Sequence, residues 1–271
     1  MIGVELRKLL RRPRTWIVIL LIDALPTLVA VLLALTDLAP RPGTGPAFLS
    51  AVLTNGVLFP AAALAIVLPL FLPVSVAIVA GDSIAGEAQA GTLRYLLARP
   101  AGRTRLLVAK LVAVLAFVAM AVVAVTVTAY FVGTTLFGNQ PLGDTVASVS
   151  GTPLTVREAV LRTLLAMAYV AFSMLGVAAM AIFLSTLTDS PLAAAMGALA
   201  FLVASSLLLT LDAAGALRPY LPTRYWLAFV DLFRQPILWR DVLRGVGLQG
   251  VYVVVLLGAA WANFTTKDIK S

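Results

Sequence analysis

The sequence predicts an all-α integral membrane protein with six transmembrane helices. Of its 271 residues, 61% are hydrophobic and 12% are charged, and the mean hydropathy is +1.03. Soluble domains carry about 25% charged residues and about 45–50% apolar ones. Apolar runs of roughly 20 residues, enough for a helix to cross about 30 Å of hydrocarbon, occupy most of the chain. We therefore expect a single transmembrane domain over residues 1–271 and exclude a soluble enzyme.

The N-terminal residues 1–14 are predicted to form an amphipathic helix that lies in the plane of the lipid headgroups. At helical spacing Ile2, Leu6 and Leu9 share one face, and basic residues populate the other. The apolar run that follows, at about 16–35, is too long for the core of a signal peptide. We interpret this run as a retained first span.

Five further spans are predicted at about 52–80, 106–131, 160–184, 192–211 and 246–263. The second is longer than a crossing needs and is expected to be broken by Pro60, Pro69 and Pro73. The segment 213–244 mixes prolines, aromatic residues and arginines. We interpret it as a helical hairpin on the outer surface; the alternative is that the last two spans are misplaced.

Orientation is predicted from the distribution of basic residues. With the N-terminus inside, twelve of the twenty lysines and arginines, including all four lysines, fall on the cytoplasmic side. Six spans place both termini there, which predicts a multi-pass protein of the plasma membrane. The net charge of +8 is attributed to residues that meet anionic headgroups. Membrane lipid is therefore an expected partner, and nucleic acid is not.

Several kinds of chemistry are disfavoured by composition. The chain has no Cys and no His, which removes disulfides, thiol catalysis and the commonest zinc ligands, so no metal site is predicted. No Gly-x-x-x-x-Gly-Lys-Ser/Thr phosphate-binding loop occurs, so we do not expect the chain to bind or hydrolyse ATP itself. No catalytic residue is predicted.

The most specific pattern lies in the segment 82–105, between the second and third spans. Gly91 frees the backbone, Thr92 can cap a helix start, and Pro100 can end that helix. The helix would carry an apolar face and solvated arginines, formed by Leu93, Leu96, Leu97 and Arg94 among others. A short amphipathic helix in a cytoplasmic loop either lies on the membrane or docks a soluble partner.

This segment resembles the signature of type-2 ABC (ABC-2) transporter permeases. The similar residues are Glu87, Gly91-Thr92-Leu93, Leu96-Leu97-Ala98, Pro100, Arg103 and Lys110. The resemblance is specific only from about 82 to 110, although the order of elements is similar along the whole chain. It implies a coupling helix that contacts an ATPase subunit through Glu87, Gly91, Thr92, Leu93, Arg94, Leu96 and Leu97. The turn 185–190 matches the family's second contact by position alone, through Thr188 and Asp189.

The resemblance also implies a function. The chain would be the permease subunit of an ATP-driven exporter and would form the substrate pathway. It would pair with a second permease subunit, identical or homologous, and with two copies of a separate ATPase that binds ATP and Mg. No cofactor is expected in this chain. Lipids, drugs, antibiotics and polysaccharides remain open as substrates.

Two alternatives to an exporter remain open from the residues alone. An ion-coupled secondary carrier would use several buried ionisable residues. A membrane-embedded lipid-modifying enzyme would need paired carboxylates, or a nucleophile with a base. Asp23, about two turns into the first span, is a candidate for the transport pathway or the dimer interface, since carboxylates at membrane depth are costly. The alternative is a carboxyl group neutralised or paired within the bundle.

Overall fold

The chain folds into a bundle of α-helices with few other elements. A computed structural model describes residues 2–36, 56–92, 102–138, 145–148, 150, 152–212 and 215–266. Its α-helices are α1 (Ile2–Arg11), α2 (Pro13–Leu35), α3 (Phe59–Val67), α4 (Phe71–Gln89), α5 (Arg103–Leu136), α6 (Val156–Leu187), α7 (Pro191–Thr210) and α8 (Trp239–Thr266).

The remaining regular elements are short. Strands β1 (Thr145–Ala147) and β2 (Pro153–Thr155) pair in antiparallel fashion just before α6, with Val146 opposite Leu154. In the part of the chain that the structure describes, 3₁₀ helices cover Gly56–Leu58, Arg218–Tyr220 and Trp226–Phe233.

Among the described residues, six helices, α2 and α4 to α8, are long and apolar enough to cross a membrane. This confirms an all-α, multi-pass membrane protein. Arg103 at the start of α5 donates hydrogen bonds to the Phe264 and Thr265 carbonyl oxygens near the end of α8, so those ends lie together. We call this the α1 end of the bundle, because α1 also packs there; the far end is the one at which α2, α5 and α7 finish.

The predicted second span, 52–80, is corrected by the structure. Its apolar run is divided into α3 and α4 by a turn at residues 68–70. Pro69 lies in this turn and Pro73 in the first turn of α4, where a missing backbone N–H is tolerated. Pro60 does not break a helix but lies at the second position of α3, in the first turn, where a missing backbone N–H is tolerated. The spanning helix continues to Gln89, well beyond the predicted end near residue 80.

The helices at the centre of the bundle approach closely through small residues. A Cβ atom at Gly81 of α4 would lie 3.0 Å from the Ala195 nitrogen of α7. Ala80 and Ala198 are fully buried. Since lipid is as apolar as a leucine side chain, helices in membranes associate through such close packing rather than through a hydrophobic driving force. α4 is thereby held between α6 and α7.

A second close approach lies at the far end of the bundle. It joins the 3₁₀ helix Gly56–Leu58 to the last turn of α5. A Cβ atom at Gly56 would lie 2.0 Å from the Gly133 carbonyl oxygen, and one at Gly133 would lie 2.5 Å from Phe59 Cβ. The two backbones therefore touch, and only glycine fits at either position.

The segment 213–244 does not form the predicted helical hairpin. Its described part holds two 3₁₀ helices, and α8 already begins at Trp239 rather than at about residue 246. Side chains of α6 and α8 hold this segment by donating to its carbonyl oxygens. These donors are Arg162 (to Leu232 and Arg234), Tyr169 (to Tyr225), Gln249 (to Pro222) and Tyr252 (to Tyr220).

The Gly56–Gly133 contact yields a stability prediction. Gly133→Leu should lower the free energy of unfolding by about 1–3 kcal/mol or more, because a side chain would force the two backbones apart. The measurement is unfolding of the purified protein in a denaturing-detergent titration. Gly258→Leu is the control, since its Cβ atom would meet nothing within 4 Å. Equal stability of the two variants would contradict the contact.

Candidate functional site: a charged cavity at the α1 end

Lys110 is the buried centre of the charged groups at the α1 end. Its side chain is 6% exposed and lies in the second turn of α5. The ammonium group donates to Glu5 Oε2 of α1 at 3.0 Å and to Glu87 Oε1 near the end of α4. One lysine therefore joins three helices, because a buried ammonium needs counter-charges from its neighbours.

Lys8 of α1 adds a more exposed cation to the same group. Its Nζ lies 3.3 Å from Glu5 Oε1 and 3.5 Å from Glu87 Oε1. Partial burial raises the pKa of Glu5, but Lys110 and Lys8 together outweigh this and hold that pKa below its ordinary value. Glu5 is thus charged at neutral pH, and the two lysines face two carboxylates.

A second charged group joins the start of α2 to α4. Asp82 Oδ2 accepts from Arg14 Nη2 at 2.6 Å and from Arg12 Nη1 at 3.3 Å. Both arginine side chains are more than half exposed, and Asp82 is 24% exposed. Two cations therefore share one carboxylate.

These two groups border one cavity of about 510 Å³. Helices α1, α2, α4 and α5 form its walls. The polar side has the seven charged residues just described and the Thr15, Ser83 and Thr92 hydroxyl groups; the apolar side includes Leu9, Val18, Ile78, Val79, Ala113 and Val114. The cavity can thus accommodate a ligand that is charged at one end and apolar at the other.

The predicted residues Gly91 and Thr92 lie at the end of α4. Gly91 has a φ of +67° and donates to the Ala88 carbonyl oxygen, and Thr92 N donates to the Glu87 carbonyl oxygen. This is a Schellman motif, which ends a helix. Gly91 and Thr92 therefore end α4, and the helix predicted to follow Thr92 lies outside the described residues. Leu93, Arg94, Leu96 and Leu97 lie outside the described residues.

The bounds of the coupling segment 82–105 also change. Its first residues, through Gln89, belong to the spanning helix α4, and Arg103 already begins α5. Glu87 is consequently held on a helix that is continuous with the membrane span, and not on a loop.

The second predicted contact, at Thr188 and Asp189, lies at the same end of the bundle. These residues join α6 to α7, and the Ser190 side chain caps α7 by accepting from Ala193 N. The connection is tied to α4 by buried Ser185, whose Oγ donates to the Gly81 carbonyl oxygen at 2.7 Å. Ser185 Oγ also accepts from Ala85 N at 2.8 Å.

Asp23 lies apart from the charged cavity, between α2 and α5. Its carboxyl group is partly buried and interacts with the Thr128 hydroxyl. Oδ1 is buried and has no hydrogen-bond partner among the described residues. The structure therefore keeps Asp23 separate from Glu87 and pairs it with no cation of the described chain.

Glu5 and Asp82 are central to the site, and the sequence analysis did not single them out. Glu5 pairs with a residue 105 positions away, and Asp82 with arginines 68 and 70 positions away. One signal was available for each. Glu5 is the acidic residue within a basic amphipathic helix, and Asp82 stands at the end of an apolar run.

Lys110 yields a prediction about stability. Lys110→Met should lower the free energy of unfolding by about 3 kcal/mol at pH 7, because two partly buried carboxylates lose their cation. Lys8→Met is the control and should cost less than about 1 kcal/mol, since that lysine is 44% exposed. The measurement is unfolding in detergent at several pH values.

The pH dependence has a defined sign. The pKa of Glu5 is lowered on folding, so its pairing stabilises above its ordinary pKa of 4.5. That stabilisation is lost as the pH falls through the lowered pKa of the folded state. The difference between Lys110→Met and the wild type should therefore shrink below pH 4.5. A difference that grows in acid would contradict the pairing.

Comparison with known proteins gives a family but no activity. Residues 28–269 match the family described as "Protein of unknown function (DUF2705)". No curated protein matches the sequence. The match covers five of the six spans completely and the last third of the first, together with both connections at the α1 end. The chain therefore belongs to the DUF2705 family.

Proposed function

We propose that this chain is the permease subunit of an ATP-driven exporter of the ABC-2 type. It forms the substrate pathway with a second permease subunit, identical or homologous. A separate ATPase, present in two copies, binds ATP and Mg and docks on the α1 end. In this proposal the α1 end faces the cytoplasm, both termini lie there, and the membrane is the plasma membrane.

One observation carries the proposal: the α1 end joins the two connections that resemble ATPase contacts to the spanning helices. The α4–α5 connection begins at a Schellman motif directly after Glu87, which Lys110 ties to α5 and which lies beside α1. The α6–α7 connection is tied to α4 by Ser185. Displacement of either connection would therefore move several of the spanning helices together.

The proposed mechanism is a transfer of movement from the ATPase to α4. Because α4 runs without interruption from Phe71 to Gln89, displacement of its end moves the whole helix. The turn at residues 68–70 separates α4 from α3, so the two parts of this span can change their mutual angle. The coupling free energy is the difference in affinity of the α4–α5 connection for the open and closed forms of the ATPase.

The central test is co-purification with an ATPase encoded beside the gene. The wild type should retain this ATPase through a tag on the permease, and Leu96→Glu should lose most of it, because a carboxylate would replace an apolar contact. Glu87→Ala should retain binding but lower the permease-dependent hydrolysis of ATP at least about threefold, since Lys110 then loses one counter-charge.

Matched controls carry the same changes at the far end. Leu227→Glu replaces an exposed leucine of the 3₁₀ helix Trp226–Phe233, and Asp241→Ala removes an exposed carboxylate from the first turn of α8. Both should behave as the wild type. If no ATPase co-purifies, or if the far-end variants lose as much as the α1-end variants, the proposal is wrong.

A second candidate function rests on the buried, unpartnered Oδ1 of Asp23. In an ion-coupled carrier this carboxylate would bind the coupling cation, as intramembrane carboxylates often do. A bound cation would stabilise the folded protein by mass action.

Thermal unfolding in NaCl and in choline chloride separates the two functions. The exporter proposal predicts the same unfolding temperature in both salts for the wild type and for Asp23→Asn. A sodium-specific increase in the wild type that disappears in Asp23→Asn would favour the carrier instead.

A further inference from the structure

The charged cavity is lined by two groups of charged side chains, of which one is neutral overall and the other carries an excess positive charge. In the first, Lys8 and Lys110 face Glu5 and Glu87, so cations and carboxylates are equal in number. In the second, two arginines share the single carboxylate of Asp82. The described lining of the cavity therefore keeps one uncompensated positive charge, and it lies at Arg12 and Arg14.

Most N–H donors of these two arginine side chains are not used in hydrogen bonds to the described protein. Arg12 bonds Asp82 through Nη1 and Arg14 through Nη2, and each guanidinium group has five N–H donors. No other hydrogen bond from either side chain to a described residue is formed. Their side chains are 53% and 60% exposed, so an anion can reach them. Guanidinium groups bind phosphate in a bidentate manner.

The wall beside the arginines is apolar. Val18 of α2, Ile78 and Val79 of α4, and Val114 of α5 line the cavity on the side toward the middle of the bundle. A free inorganic anion or a nucleotide has no hydrocarbon chain that could pack against this wall. A phosphodiester joined to hydrocarbon chains would match both sides.

From this arrangement we infer that the cavity binds one anionic phospholipid of the surrounding membrane. The phosphodiester contacts the free N–H groups of Arg12 and Arg14, and one acyl chain lies along Val18, Ile78 and Val114. The first turn of α2, whose N–H groups point toward its N-terminus, adds a favourable dipole at Arg14 and Thr15. The inference concerns the isolated chain and does not depend on a partner ATPase.

A bound lipid of this kind would connect α2 to α4. Asp82 alone makes the described salt bridges between the two arginines and α4. A phosphodiester beside it supplies a second anion to the same guanidinium groups. Its negative charge thereby compensates the excess positive charge of Arg12 and Arg14.

The test is native mass spectrometry of the purified protein with dioleoyl phosphatidylglycerol or dioleoyl phosphatidylcholine added in detergent. The wild type should bind one phosphatidylglycerol at least about tenfold more tightly than phosphatidylcholine. Arg12→Gln/Arg14→Gln should abolish this preference. Arg7→Gln/Arg11→Gln is the matched control, because it removes two arginines from exposed positions of α1 that do not line the cavity.

Asp82→Asn covers the case in which the double arginine variant does not fold. It removes the competing carboxylate and should tighten the binding of phosphatidylglycerol, whereas weaker binding would overturn the inference. Equal losses in the two double variants would show a general surface-charge effect and would also overturn it. Glycerol 1-phosphate at millimolar concentration should not displace the lipid. If glycerol 1-phosphate displaced the lipid, the cavity would be a site for a phosphate group alone. The proposed contact between an acyl chain and the apolar wall would then be wrong.

Discussion

The arrangement of the α1 end depends on the burial of one lysine ammonium group. Lys110 lies in a membrane-spanning helix with 6% of its side chain exposed, so its charge must be compensated by the protein. The two compensating carboxylates come from different helices, Glu5 from α1 and Glu87 from α4. The position of the amphipathic helix over the bundle and the position of the end of α4 are consequently linked through a single group.

This link explains why the proposed coupling site and the proposed lipid site lie side by side. The lysine group is balanced and centred on the buried Lys110, which suits a rigid connection between helices. The arginine group is exposed and carries an excess cation, which suits a ligand that exchanges with the membrane. Asp82 and Glu87 are on the same helix, so a lipid at the arginines and a partner beyond Thr92 act on one element, α4.

The fold could be predicted from the sequence largely because lipid imposes a simple rule. An apolar run of sufficient length has to cross the membrane as a helix, since its backbone finds no partner in hydrocarbon. Of the three prolines of the second span, Pro69 likewise marked the turn between α3 and α4. The end of the second span was predicted less well, because glycine has more than one local meaning. Gly91 was interpreted only as freeing the backbone before a helix start, whereas its left-handed conformation also ends α4, which extends to Gln89.

The candidate site was predicted only in part. Glu87 and Lys110 were found through their resemblance to a known pattern, whereas Glu5 and Asp82 were not. Their partners are far away in sequence, and a single sequence does not show which of many basic residues will face a given carboxylate. Likewise the 3₁₀ helices of the segment 213–244 were not predicted, because they are short and their buried residues, such as Trp226, Phe229 and Leu232, recur every three residues and not at α-helical spacing.

The way in which that far-end segment is held has a consequence for its evolution. Arg162, Tyr169, Gln249 and Tyr252 all donate to backbone carbonyl oxygens of the segment, and not to its side chains. Every residue type supplies such an oxygen. Substitution of the exposed side chains of the segment would thus leave these hydrogen bonds in place, whereas substitution of the four donors on α6 and α8 would remove them. A surface of variable chemistry on a constant backbone would let one bundle meet different molecules at this end.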